Sequence, residues 1–480
     1  MPAGRDEGFF EKIKEIDGEM RIGKSFDVTK REFLYGGQVD AVYYSVNGLS
    51  NSQAAVQIFR SMLGDKEGAR RLREAKRSGI AANERDLFLP CAEVKTVEDA
   101  ENAISEVYAG ASMLIVDGLD GYVLLDAKKP PARSIEEPSK DKVLRGAKDG
   151  FTETLLVNTA LIRKRIRDKR LIFKKLTVGS GTKTDVVICY LEGLADEALV
   201  TRLTKQISDL RVRGLNLAEE SLTELLIQKK WYNPFPKVRY TERPDAAAAM
   251  LMEGSVVVLC DNYPAVMLLP TSIFDFLQDT DDFCFVPVIG GYLKLVRNLV
   301  FLVSLLLTPV WYTLQTVPHL LPPPFDVLLA TGESFLPIFW QLVLVEIAID
   351  GLKLASLNTP DTLSNSLSVI SALILGDLAV HVGWLSEQVI LYMSFVAISN
   401  FTQPSYELGY AFKFMRILTL ILIALFSYWG LFAGIAVTLV LIATNNTVGG
   451  GGKRGYLYPL FPFCGRALFR LFFRVRAGKD

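Results

Sequence analysis

The chain has 480 residues, with 53 Lys or Arg balanced by 53 Asp or Glu and two histidines. A neutral chain lacks the whole-face basicity of a nucleic-acid-binding domain. Both histidines, His319 and His381, fall in the apolar half, so the first 297 residues hold no His-based catalytic centre. Charge is unevenly spread: residues 298–452 carry three bases and eight acids, residues 1–297 carry 43 and 44, and residues 453–480 carry seven and one. This is the pattern of a soluble front, an apolar membrane domain and a short basic tail.

The five cysteines (91, 189, 260, 284 and 464) are far apart and form no CxxC pair. They are expected to be reduced and mostly buried, in a front that faces the cytosol. The opening "MPAGRDEGFFEKIKEIDGEM" is charged and lacks the apolar core of a signal peptide, so export of the front is not expected.

Taken in chain order, "AVYYSVNGL" (41–49) reads as a strand, and "NSQAAVQIFRSML" (51–63) as a helix that Asn51 can cap. "SMLIVDGLDGYVLLDA" (112–127) reads as two short strands around an Asp-Gly turn. A similar unit returns at "SVVVLCDNYPAVMLLPT" (255–271): placing Asp117 on Asp261 sets Met113–Val116 over Val257–Cys260 and Tyr122–Leu125 over Val266–Leu269. Two related α/β lobes are therefore expected. "KKPPARSIEEPSKDK" (128–142) reads as a surface crossing. "VGSGTKTD" (178–185), placed between the lobes, misses the phosphate-loop spacing because Thr182 separates Gly181 from Lys183, and it reads as a turn into "DVVICYL".

Residues 163–170 pack six Lys or Arg into eight positions. Phe151, Leu155 and Ala160–Leu161 supply an apolar stripe, so the segment is expected to be a docked helix. Arg163, Lys164, Arg165 and Arg167 are candidates for subunit contact, pairing with acids such as those of "SIEEP". Membrane-surface contact is a lesser alternative, and nucleic acid is not expected as a partner.

A hydrocarbon core takes roughly 20 helical residues. Spans are expected at 298–317, 335–352, 366–385 and 388–404, with two more from the uncharged run 417–452, breaking near Gly430. With the front taken as cytoplasmic, Lys294 and Arg297, Lys353, Lys413 and Arg416, then Lys453 and Arg454 fall inside. The outer loops hold Asp326, Glu333 and Glu387 without a Lys or Arg. A segment 335–352 lying on the surface would change the parity; six spans is the favoured count. Arg466, Arg470 and Arg474, interleaved with Leu and Phe, suggest an interfacial helix meeting anionic headgroups.

Several long motifs resemble the A-subunit membrane proteins of spore germination receptors, the GerA family of endospore-forming bacteria. They are "RSIEEP" (133–138), "LRGAKDGFTETLLVNTALIRKRIRD" (144–168), "YNPFPKVRYTERPDAAAAMLMEGSVVVLCDNYPAVMLLP" (232–270), "NTPDTLSNSLSVISALILGDLAVHVGW" (358–384) and "QPSYELGYAFKFMRI" (403–417). The last two point to one branch of the family. The resemblance implies a two-lobed α/β domain on the cytoplasmic, spore-core side and a helical domain in the spore inner membrane. It also implies partner germination or sporulation membrane proteins and ring-shaped homo-oligomers, pentamers in this family, that release monovalent cations as germination begins. Asp377 departs from the amide or small residue expected in "LILG-x-LAV".

The expected fold is thus an α/β soluble two-lobed N-terminal domain followed by an all-α polytopic transmembrane domain. Its expected divisions are an extension (1–35), lobe 1 (36–175), lobe 2 (176–290), the transmembrane domain (291–452) and a basic amphipathic cytoplasmic tail (453–480). Ionisable groups within spans are costly and mark a pathway or a partner. Asp377 and His381 share a helical face at i,i+4, with Ser371 and Gly376 as small neighbours. They line a cation pore or lock two helices, and both readings stand. Glu346 and Asp350 are also i,i+4, either in a pore or at the cytoplasmic end of an amphipathic segment. The functional expectation is an oligomeric channel subunit, with a non-conducting accessory or scaffold as the alternative. No enzymatic activity, metal or cofactor is expected.

Overall fold

The computed structural model describes residues 7–78, 87, 89–91, 93–131, 147–215, 219–226, 232–278, 285–318, 328–329, 334–358, 379–445, 455–461 and 463–465. The chain forms two units, residues 1–228 with 238–270, and residues 229–237 with 271–480.

The first unit contains two lobes. Lobe 1 runs α1 (Glu7–Glu19), β1 (Val28–Tyr35), β2 (Val39–Val46), α2 (Ser52–Gly64), α3 (Lys66–Ser78), β3 (Val94–Val97), α4 (Ala100–Tyr108), β4 (Ser112–Val116) and β5 (Tyr122–Leu125). Lobe 2 runs α5 (Leu155–Arg165), β6 (Leu171–Val178), β7 (Thr184–Leu191), α6 (Glu197–Ser208), α7 (Glu219–Leu226), β8 (Arg239–Thr241), α8 (Pro244–Met252), β9 (Val256–Cys260) and β10 (Val266–Leu269). The sheets are ordered β1-β2-β4-β5-β3 and β6-β7-β9-β10-β8, and every pairing is antiparallel. One arrangement is therefore built twice.

The duplication extends to the turns. Asp117 N–H donates to Asp40 O at 2.9 Å, and Asp261 N–H donates to Asp185 O at 3.0 Å. The next residue is left-handed in both lobes: Gly118 at φ +88° and Asn262 at φ +64°. That region is open to Gly and tolerated by Asn. The hairpin similarity between 112–127 and 255–271 is thus part of a whole-lobe repeat.

Strand periodicity explains the layers. In β2, Val42, Tyr44 and Val46 join α1 and α4 in one core. Val39, Ala41 and Tyr43, on the other face, pack with Ile58, Phe59 and Met62 of α2 and with Leu72 of α3. Lobe 2 covers one face of its sheet with α5 and α8. Asn51 does cap α2, its side chain accepting from Gln53 N–H at 3.0 Å.

Three expected divisions change, the one at 290/291 because residues 271–290 belong to the second unit. Residues 1–35 do not stand apart: Phe9, Ile13 and Ile16 of α1 enter the lobe 1 core and β1 pairs with β2 along its whole length. The 175/176 division falls inside β6, because β6 forms an eight-residue ladder with β7. Consequently 178–185 is the hairpin turn within lobe 2, not a connection between lobes. The crossing at 132–142 lies outside the described residues.

The second unit holds α9 (Pro287–Thr316), α10 (Ile338–Asn358), α11 (Glu387–Phe401), α12 (Tyr406–Phe426) and α13 (Tyr428–Ala443). Pro287 occupies the first turn of α9, where its missing N–H costs nothing. Ser386 and Ser405 cap α11 and α12. The run 417–452 breaks at Ser427, φ +52°, between α12 and α13. A Cβ on Gly430 would lie 2.1 Å from Leu422 O, and one on Gly434 would meet the Thr419 side chain at 2.5 Å. These glycines therefore permit the close antiparallel crossing of the two helices. Among the described residues, the helices spanning Val288–Thr316 and Tyr406–Phe426 are long and apolar enough to cross a membrane.

Residues 232–237 belong to this second unit. Phe235 packs on Phe412 at 5.3 Å between ring centroids, and Asn233 Nδ2 donates to Leu441 O at 3.1 Å.

Candidate functional site

The basic run divides by burial. Arg163, in the last turn of α5, is wholly buried. Its Nε donates to Asp27 Oδ2 at 2.8 Å, Nη1 to Asp168 O at 3.0 Å and Nη2 to Leu171 O at 2.8 Å. The guanidinium carbon lies 4.7 Å from the Tyr108 ring centroid and 5.0 Å from that of Phe173. Asp27 also accepts from Ser25 Oγ, which itself accepts from Phe173 N–H at 3.0 Å. Asp27 and Tyr108 belong to lobe 1, Leu171 and Phe173 to lobe 2, so Arg163 ties the lobes together.

Arg163 is therefore not presented to another subunit, which corrects that expectation. A guanidinium with five fixed donors satisfies several acceptors at once, and burial makes each of those bonds obligatory. Arg165 is half-buried and bonds both oxygens of Asp149 at 2.6 Å. The expected acids of "SIEEP" lie outside the described residues. Lys164 and Arg167 are exposed on the surface of the chain. Burial pushes the Tyr108 phenol up to about 12 and the Cys189 thiol well above its ordinary value.

The second candidate lies in the helical unit. Glu346 and Asp350 of α10 face α12 rather than marking the end of an amphipathic segment. Glu346 Oε1 accepts from Arg416 Nη2 at 2.5 Å and lies 3.3 Å from Lys413 Nζ. Lys413 also pairs with Asp350, and Arg416 Nη1 donates to Ser304 O of α9. Ser304 Oγ accepts from Gln403 Nε2 at 3.3 Å and donates to Asn400 Oδ1 at 3.4 Å. Arg416, Lys413 and Glu346 are buried, whereas the Asp350 side chain remains 34% exposed.

Two carboxylates thus meet two cations among four helices, and the group is formally neutral. A buried ion must be paired this way, because removing it from water costs several kcal/mol, of order, when it is alone. Two buried atoms in the group have no hydrogen-bond partner among the described residues: Arg416 Nε and Gln403 Oε1. A Cβ on Gly409 would sit 2.6 Å from Gln403 Oε1, so Gly409 makes room for that amide.

The helical unit is inverted relative to the lobes. Leu299, Leu302, Trp340, Ile347, Phe395, Leu425, Trp429 and Phe432 are exposed, while charged side chains lie inside. Apolar residues outward and paired ions inward suit a hydrocarbon surrounding.

The sequence reading located Glu346 and Asp350 but missed their partners. Lys413 and Arg416 were counted as loop charges beside a span; with Lys294, Arg297 and Lys353 they lie within helices instead. Helices here begin earlier than uncharged runs do, since paired bases are admitted. The i,i+3 spacing of Lys413 and Arg416 was the available signal. Asp377, Ser371 and Gly376 lie outside the described residues. His381 ends the single turn Ala379–His381 and is exposed, and left-handed Gly383 follows it. Among the described residues, no group of three or more His, Cys, Asp or Glu could hold a metal ion.

A duplicated antiparallel α/β front joined to an inverted helical unit defines a membrane-associated two-unit protein. The chain belongs to the Bacillus/Clostridium GerA spore germination protein family, whose model matches residues 16–479. It is 36% identical to stage V sporulation protein AF of Bacillus subtilis (strain 168) over 454 residues, covering 95% of this chain and 90% of that protein. This is the branch to which the motifs at 358–384 and 403–417 point. Spore germination protein KA of the same organism is 27% identical over 461 residues, covering 95% of this chain and 82% of that protein. The crystal structure of the N-terminal domain of the A subunit of the Bacillus megaterium spore germinant receptor GerK3 is 24% identical. It covers 54% of this chain and 92% of that one, with a TM-score of 0.38.

Proposed function

We propose that this chain is a multi-pass, homo-oligomeric subunit of the spore germination machinery in the spore inner membrane, and that it releases monovalent cations as germination begins. The observation that carries the reading is the charged cluster of Glu346, Asp350, Lys413 and Arg416 inside an otherwise apolar helical unit. Ionisable groups at such positions are costly and serve conduction, gating or a partner. The likeness to stage V sporulation protein AF and spore germination protein KA supports the setting. In this reading six spans cross the membrane, with the soluble lobes and the 453–480 tail on the core side and the tail resting on anionic headgroups. The oligomer is a pentamer with other germination or sporulation membrane proteins as partners. The helix bearing Ser371, Gly376, Asp377 and His381 lines the pore, and Lys164 and Arg167 meet the neighbouring subunit.

A second reading, a non-conducting scaffold for a neighbouring receptor or transporter, is favoured by one feature. Each carboxylate of the cluster is already engaged by a cation. Potassium release from liposomes carrying the purified chain separates the two, comparing wild type with Asp377→Asn and Ser371→Phe. Release whose rate or selectivity the substitutions change is the expected result. Silence from folded oligomers, alone and with a partner protein, would favour the scaffold.

A further inference from the structure

Beside the charged cluster, Lys353 of α10 reaches into a cage of three rings. Its Nζ lies 4.5 Å from the ring centroid of Tyr406, 4.8 Å from that of Tyr410 and 5.9 Å from that of Phe401. Phe401 ends α11 and the two tyrosines open α12, so the cage exists only when three helices are packed. Asp350, one turn earlier on α10, lines the same pocket with Asn400 and Lys413. Its carboxylate is the open one of the cluster, 34% exposed, and its partner Lys413 is shared with Glu346.

Ring faces attract cations because their quadrupole is negative, most strongly where water is thinned, and aromatic cages are how proteins take up ammonium groups. A nearby carboxylate adds the charge that a desolvated cation requires. Lys353 is half-buried, so its head is tethered at a place that small ions can reach.

We propose that Phe401, Tyr406, Tyr410 and Asp350 form a binding site for a small monovalent cation, which the Lys353 ammonium occupies in this structure and must vacate for a free cation to enter. The inference deepens the conduction reading by giving that path an occluding residue, but the site itself can be tested without any flux.

The test uses the full-length protein in detergent, with thermal unfolding followed in equal concentrations of potassium, methylammonium or the bulky N-methylglucamine chloride. Lys353→Ala empties the cage. Its Tm should rise by about 3 °C in potassium or methylammonium relative to N-methylglucamine, as mass action requires for a ligand bound only by the folded state. Wild type and Lys353→Gln, whose cages stay filled by a side chain, should show no such difference. Adding Asp350→Asn to Lys353→Ala should remove the gain. An equal gain in wild type or Lys353→Gln would mark a bulk salt effect and overturn the proposal. So would a Lys353→Ala protein that gains nothing or folds in none of the salts. Potassium release from liposomes then separates the two readings: a Tm gain without faster release from Lys353→Ala would leave the site standing and remove the conduction reading.

Discussion

In the lobes, β4 and β9 are buried along their whole length; in the helical unit, α13 buries Gly430, Gly434 and Thr438 and exposes Trp429, Phe432, Leu439 and Val440. Each unit also contains a buried arginine paired with a carboxylate, Arg163 with Asp27 and Arg416 with Glu346. The arginines do different work because the surroundings differ. Arg163 fastens two apolar-cored lobes and satisfies backbone carbonyls that water cannot reach. Arg416 joins helices whose apolar side chains face outward, where there is little hydrophobic reason for helix to prefer helix. Polar contacts and small-residue crossings must then supply the specificity.

The comparison breaks most visibly at Arg163. Arg163→Met should cost about 3–5 kcal/mol, since Asp27 is left charged and buried. Cys189, fully buried in lobe 2 with its thiol raised by burial, supplies the readout. Alkylation by a thiol reagent should accelerate by roughly two to four orders of magnitude as the unit opens. An unchanged rate would mean that the lobes hold without the tie.

In the helical unit, Arg416→Met and Glu346→Leu should each cost about 3 kcal/mol, whereas the double variant should recover most of that loss. Thermal unfolding in detergent measures the coupling. Additive losses would mean that the residues act separately. Next comes Gly430→Leu, which should cost about 1–3 kcal/mol by pushing α13 off α12. Cysteine cross-linking between the two helices follows that displacement.

Asn51→Ala removes an N-cap exposed to water and should cost about 1 kcal/mol, read as a small drop in lobe stability. Smallest in stability are Lys164→Glu and Arg167→Glu, expected to change it by less than about 0.5 kcal/mol. With folding untouched, any loss of oligomer measured by native mass spectrometry would report the proposed subunit contact directly. An oligomer that survives both reversals would place the contact elsewhere.

The hairpins at 112–127 and 255–271 were legible because alternation, β-branched residues and a turn are local properties. So was the cap at Asn51. The full repeat was not, since the charges within β1, "VTKREFLY", and β6, "LIFKKLTV", interrupt their apolar pattern, and it is their pairing with β2 and β7 that shows the two lobes to be alike. In the helical unit, apolar runs located α9 to α13 but misplaced their ends. A run scored by charge stops at Arg416, whereas the helix continues through it and Lys413 because Glu346 and Asp350 neutralise both from another helix. The role of Arg163 was misjudged for the same reason: "RKRIRDKR" reads as a subunit-contact face until Asp27, far away in sequence, is brought beside it.

By itself, the sequence determined that a neutral α/β front precedes an apolar helical region, that the front contains a recurring hairpin, and that its long motifs belong to the spore germination family. The first two follow from composition, periodicity and local turns, and the third from the likeness of the motifs to the family, none of which needs a partner from elsewhere in the chain. Only the tertiary structure decided which charges are buried, which acid meets which base, and which rings surround Lys353. Such pairings depend on long-range contacts between α10, α11 and α12, and between the two lobes. There the energy of a charge is set by what packs against it, not by its neighbours along the chain.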